Sequence, residues 1–147
     1  MTETRSAPTV LFVCVSNAGK SVMAQHLMHR IAGTEINALS AGTHAKAEVN
    51  QLSAQALAEL GIDIKDHQPT QLNDALIEAS DLIVILGTQA QIDESAYNTP
   101  IEIWHTDEPS LRGIDGIERM RLIRDDIAKR LNDLIDRQGG AFKQAST

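Results

Sequence analysis

Two short runs in this chain, Val10-Leu11-Phe12-Val13 and Leu82-Ile83-Val84-Ile85-Leu86, have no polar residue at either parity. A strand shows alternate residues to opposite faces, so such a strand has two dry faces and needs cover on both. Helices on the two sides of a mostly parallel sheet supply that cover. The remaining pattern agrees, because stretches of helical spacing alternate with the strand candidates. The sequence therefore predicts an α/β layer fold.

Along the chain, residues 1–8 read as a disordered lead-in, 9–138 as one domain and 139–147 as a frayed tail. Helical spacing begins at Ser21 (Met23, Leu27, Met28, Ile31) and closes at Gly33. A short strand is expected at Glu35 to Ser40. A second helix is expected from about Val49, with Leu60-Gly61 at its end, and a third opening at Pro69-Thr70. Gly87 to Thr99 is polar, with room for a short helix, and a last strand runs Ile101 to Trp104. The final helix has the clearest period: Ile117, Met120, Ile123, Ile127, Leu131 and Leu134 share one face. Gly139-Gly140 is its expected stop. In open sheets of this class ligands bind beyond the carboxyl ends of the strands. Cys14 and the loops after Leu86 and Trp104 belong at that edge.

Cys14 is the single cysteine of the chain. It stands where the first strand gives way to the loop Val15-Ser16-Asn17-Ala18-Gly19-Lys20-Ser21. A thiol there is a nucleophile candidate, because a helix N-terminus and a neighbouring cation both favour the thiolate. Two phosphate-loop patterns compete for these residues. Gly19-Lys20-Ser21 fits the end of a nucleotide-binding loop, but the required first glycine is Cys14, and the run after Asp81 ends in Gly87-Thr88 rather than in a magnesium-binding aspartate. The other pattern is a cysteine, five residues, a cation and a hydroxyl. In it the thiolate attacks a tetrahedral oxyanion in line. The amides of residues 15–20 surround the equatorial oxygens, Lys20 offsets their charge, and the Ser21 hydroxyl donates to the thiolate.

With these residues the chain resembles the low-molecular-weight protein tyrosine phosphatases and the arsenate reductases built on the same fold. Ser40-Ala41-Gly42-Thr43, Leu60-Gly61-Ile62-Asp63, Ala79 to Val84 and the acidic-proline element Asp107-Glu108-Pro109 extend the likeness in the same order. The resemblance implies a four-stranded parallel sheet of order 2-1-3-4 flanked by helices. It also implies a general acid at Glu108, by alignment on Pro109, with Asp107 as the alternative. Two departures stand out. Lys20 replaces the usual arginine and lacks its planar fork. Ser110 and Leu111 follow Pro109, where the phosphatases carry an aromatic residue for phosphotyrosine.

The cysteine count separates the branches. Reductases that resolve their adduct through further cysteines in the same chain are excluded here. The chain is most similar to the arsenate–mycothiol transferases, through the loop, Asn50-Gln51-Leu52-Ser53 and the stretch from Glu118 to Asp125. That resemblance implies arsenate detoxification. Arsenate passes through Cys14 to mycothiol as co-substrate, and a mycoredoxin-type protein later releases arsenite, with no metal or tightly bound cofactor. The alternatives are a phosphatase of the same fold acting on phosphotyrosine or a small phosphate ester, and a non-catalytic oxyanion-binding module.

The other residues add limits. A formal charge of −7 and only four aromatic residues, Phe12, Tyr97, Trp104 and Phe142, argue against nucleic acid or an anionic membrane as partner. No apolar run reaches the roughly 20 residues of a membrane span, and residues 1–8 lack a signal-peptide core. With the single cysteine these point to the cytoplasm. The five histidines show no ligand spacing and read as surface residues. Ser40 reads as a structural residue bonding to the loop, and Asn17 as a turn residue tolerating positive φ.

Overall fold

The computed structural model describes the backbone of residues 7–145 and side chains as far as residue 137. Its frame is a sheet of four parallel strands, β1 (Thr9–Cys14), β2 (Asn37–Gly42), β3 (Leu82–Leu86) and β4 (Ile101–Trp104). Their spatial order is β2-β1-β3-β4. The two central strands are the two apolar runs, and every residue of β3 is buried. Parity sorts their side chains. Val10, Phe12, Leu82, Val84 and Leu86, joined by Trp104, pack on the helices α1 (Lys20–Ala32), α2 (Gln51–Ala58) and α4 (Gly116–Ala145). Leu11, Val13, Ile83 and Ile85 face the other way, onto Ile77 of α3 (Asp74–Glu78) and onto Ala90, Ile92 and Tyr97. Single domain, strand order and helices on both faces are as the sequence implied.

α4 is held by its apolar stripe. Ile123, Ile127, Leu131 and Leu134 are almost wholly buried, and each such side chain contributes about 1.5–3 kcal/mol through burial. Polar clamps add to this. Arg124 donates to the Ala56 carbonyl and to Glu59 at 2.8 Å each, and Arg121 meets the same Glu59 carboxylate, tying α4 to the end of α2. The Arg121 hydrogen bonds, then those of Arg124, hold the Glu59 carboxyl down at about 2.

Several boundaries differ from expectation. β2 begins at Asn37 and continues through Ala41-Gly42, because its whole length pairs with β1. α2 starts at Gln51, where the Asn50 side chain accepts from the Ser53 amide. Residues 69–73 are not helical. Thr70 and Leu72 instead exchange backbone hydrogen bonds with Gly42, which lays Gln71 along the β2 edge. The helix opens only at Asp74, capped by Asn73. The polar segment after β3 contains one 3₁₀ turn, Glu94–Ala96. α4 passes through Gly139-Gly140 to Ala145; glycine weakens a helix interior by about 1 kcal/mol without terminating it. The expected lead-in, apart from Ala7 and Pro8, and the last two residues of the expected tail lie outside the described residues. No described helix is long and apolar enough to cross a membrane.

Candidate active site

The loop after β1 is shaped by what its carbonyls bond to. The carbonyls of Cys14, Val15, Ser16 and Ala18 accept from the amides of Thr43, His44, Lys46 and Asn50, at 2.7–3.0 Å. The segment after β2 thus consumes the acceptors of the loop and leaves the donors. Among the described residues the amides of Ser16, Asn17, Gly19 and Lys20 have no acceptor in the chain, while that of Ala18 donates to Ser16 Oγ at 3.2 Å. Unspent amides at the start of a helix form an anion cradle. Gly42 lies directly beneath. A Cβ there would sit 2.6 Å from the Val15 oxygen and 2.8 Å from the Asn17 nitrogen and the Ser16 carbonyl carbon. The Ser40-Ala41-Gly42-Thr43 stretch therefore needs glycine at its third position.

Asn17 fixes the rest. It is fully buried with φ of 48°, in the left-handed region. The Thr70 amide, which can only donate, lies 2.8 Å from Asn17 Oδ1. That sets the side-chain amide, so Nδ2 donates to Ser21 Oγ at 2.8 Å. Ser21, having accepted, keeps its own proton for Cys14 Sγ at 2.9 Å. Ser21 is thus placed to stabilise negative charge that develops on the sulfur. Cys14 is 7% exposed.

Behind this chain stands a pair that sequence reading placed on the surface. His67 Nε2 lies 3.4 Å from Asn17 Oδ1, and since that oxygen only accepts, the imidazole donates. His67 Nδ1 is then the acceptor for His26 Nε2 at 3.1 Å. Burial, then the charges of His67 and His29, pushes His26 down to about 4, and burial also lowers His67. Their 41-residue separation hid the pairing. Ser40 was expected to bond to the loop; it donates instead to Gln25 of α1 at 2.5 Å.

A cleft of about 580 Å³ opens over Cys14, where the ends of β1, β3 and β4 meet the first turns of α2 and α4. Cys14, Val15, Ser16, Ala18, Gly19 and Lys20 line it, as do the loops after Leu86 and Trp104, at the sheet edge the sequence indicated. Asn17 and Ser21 lie behind its wall as supports. Lys20 Nζ forms an ion pair with Glu108, their side chains 18% and 39% exposed. Glu108 therefore lies in the cleft. Asp107 does not line it, since Arg112 grips its carboxylate at 2.8 and 3.1 Å. Those hydrogen bonds hold the Asp107 carboxyl below the ordinary carboxylate range. Thr106, Arg119 and Lys46 also line the cleft and were not singled out from sequence. A cation four residues into a helix, against the dipole, was the available signal for Arg119.

Residues 9–139 match the family model for low molecular weight phosphotyrosine protein phosphatase. Arsenate reductase 2 of Staphylococcus saprophyticus subsp. saprophyticus is 30% identical over 132 residues, 87% of this chain and 96% of that one. The thioredoxin-dependent arsenate reductase of Corynebacterium glutamicum superposes with a TM-score of 0.71 at 29% identity, over 95% of this chain. The chain spans 63% of that structure's length. A tyrosine phosphatase from Erwinia amylovora gives a TM-score of 0.73 at 16% identity, covering 92% of this chain and 96% of that one, a likeness of fold alone.

Two outcomes test this geometry. Gly42→Ala leaves a folded protein by circular dichroism but displaces the loop, and the rate of Cys14 chemistry falls by about 10²-fold; an unchanged rate refutes the assigned role of Gly42. The histidines give a pH dependence. Between pH 6.5 and 4 the unfolded chain protonates His26 while the folded chain does not. The stability this neutral pair contributes is complete above 6.5 and is lost as pH falls toward 4. Urea midpoints between pH 7.5 and 4.5 read that slope, and His26→Gln makes it shallower.

Proposed function

The chain belongs to the low molecular weight phosphotyrosine protein phosphatase family, and from that premise we propose that it is an arsenate reductase whose resolving thiol comes from outside the chain. The observation that carries this reading is the single cysteine, seated in an oxyanion cradle with a hydroxyl donating to its sulfur and no second thiol anywhere in the sequence. The arsenate reductase relatives support it.

In the proposed sequence arsenate settles into the amides of residues 15–20. Lys20 exchanges Glu108 for the oxyanion. Glu108, released by its cation, acts as the general acid for the departing oxygen. The Cys14 thiolate attacks arsenic, the As–S bond forms, an As–O bond breaks, and water leaves. General acid help of this kind is worth roughly 10²–10⁴ in rate. An external thiol, mycothiol by resemblance, then attacks arsenic and displaces the Cys14 thiolate. Arsenic is still As(V) in the resulting thiol adduct. Reduction follows when a redoxin thiol attacks the mycothiol sulfur. A mixed disulfide forms, and the two electrons of the As–S bond pass to arsenic, which leaves as arsenite. Arsenate and the thiol are substrates here, the redoxin a downstream partner, and the cytoplasm, with its reduced thiols, the compartment in which they meet.

Turnover of arsenate with mycothiol and a mycoredoxin is the test. Wild-type protein releases arsenite and Cys14→Ser does not; no turnover with that pair, or equal turnover by the variant, removes the proposal. The second reading is phosphate ester hydrolysis by the same cradle. Among the described residues no Phe, Tyr or Trp lines the cleft, and these supply no stacking wall for a phosphotyrosine ring. Lys20→Arg restores the planar fork and should raise hydrolysis of an aryl phosphate about tenfold or more from a low base. High wild-type hydrolysis without added thiol would favour the phosphatase.

A further inference from the structure

The cleft wall holds cations that the chain itself does not use. Arg112, Arg121, Arg124, Arg130 and Arg137 each grip a carboxylate, and Arg30 donates to the Leu60 carbonyl. Arg119 differs from all of these: it has no side-chain partner among the described residues. Its Nε is buried without a hydrogen bond. The only other buried side-chain polar atom without one, among the described residues, is Thr106 Oγ1, and both residues line the cleft of Cys14. Lys46, which also lines the cleft, has no acidic partner among the described residues. Lys20, the cation expected to serve the oxyanion, is already neutralised by Glu108. The surplus positive charge of the cleft is therefore that of Lys46 and Arg119, inside a protein of formal charge −7.

Burying an unpaired guanidinium nitrogen is unfavourable, and so is placing a cation in the first turns of a helix. An anion in the cleft reverses both. We propose that Arg119 and Lys46, with the Thr106 hydroxyl, form a second anion site in the cleft, which takes the tetrahedral oxyanion on its way to Cys14. A guanidinium fork matches two oxygens of such an ion and replaces, at one remove, the fork missing from position 20. Local cations of this kind raise the encounter rate of an anion against an unfavourable overall field. The assignment rests on Cys14 being the nucleophile, but its first test does not need arsenate chemistry.

Cys14 is the single thiol, so its alkylation can be followed by mass alone. Iodoacetate carries a negative charge and iodoacetamide does not. The ratio of their rates at Cys14 falls about threefold or more in Arg119→Gln and in Lys46→Gln, and added salt lowers it in the wild type. Arg121→Gln removes an equal charge already held by Glu59 and leaves the ratio unchanged. An unaltered ratio in both Arg119→Gln and Lys46→Gln, or an equal fall in Arg121→Gln, overturns the proposal. Lys46 is exposed, so its variant reports even if Arg119→Gln fails to fold. In turnover, Arg119→Gln raises KM for arsenate and Arg119→Lys recovers part of the loss; a rise confined to KM for the thiol also overturns it. Absence of arsenate turnover with any thiol defeats the function proposed above and leaves the alkylation ratio as the deciding measurement.

Discussion

One buried side-chain amide governs the chemistry of this protein. The Asn17 side-chain amide has a polar atom at each end and is fully buried, and each end has a protein partner. The Thr70 amide claims the oxygen, and the nitrogen is turned to Ser21. From there the direction of every hydrogen bond follows, outward to Cys14 Sγ and backward to the paired histidines. The unusual φ of Asn17 bends the loop around the space where its amides point. Loop shape, thiol polarisation and the docking of residues 67–70 are thus one interaction seen from three sides.

The second organising constraint is electrostatic. Acidic residues outnumber basic ones, 20 to 13, yet the site is built for an anion. The fold resolves this by spending its basic side chains in two ways. Five arginines are tied down by carboxylates, and three of them, Arg121, Arg124 and Arg137, thereby fasten α4 to the end of α2 or to β4. A few cations are placed at the cleft, and one of them, Lys20, is balanced by Glu108.

Much of this was legible in the sequence because it is local. Cys14, Lys20 and Ser21 sit on one strand–loop–helix unit, whose spacing alone puts thiol, cation and hydroxyl together. The central strands were legible because both of their faces are apolar. What the sequence hid depends on distant segments meeting. Glu108 reaches Lys20 across 88 residues, and the resemblance through Pro109 suggested it, whereas nothing local did. Residues 70–72 looked helical by spacing, but the unpaired edge of β2 offered backbone partners that a helix start could not match. Alignment on Pro109 favoured Glu108 over the adjacent Asp107, while the grip of Arg112 on Asp107 had no sign in the sequence. The histidines 26 and 67 carry no local sign of each other.

The solitary thiol also determines how the protein fares under oxidation. Peroxide converts an accessible thiolate to a sulfenate, and proteins with a neighbouring cysteine shelter that species as a disulfide. Cys14 has no such neighbour, so a sulfenate there either meets a thiol from solution or advances to acids that are not reversed. Since Cys14 is 7% exposed and faces the cleft, the rescuing molecule has to enter by the route the substrate takes. Repair and turnover then share one doorway into the cleft.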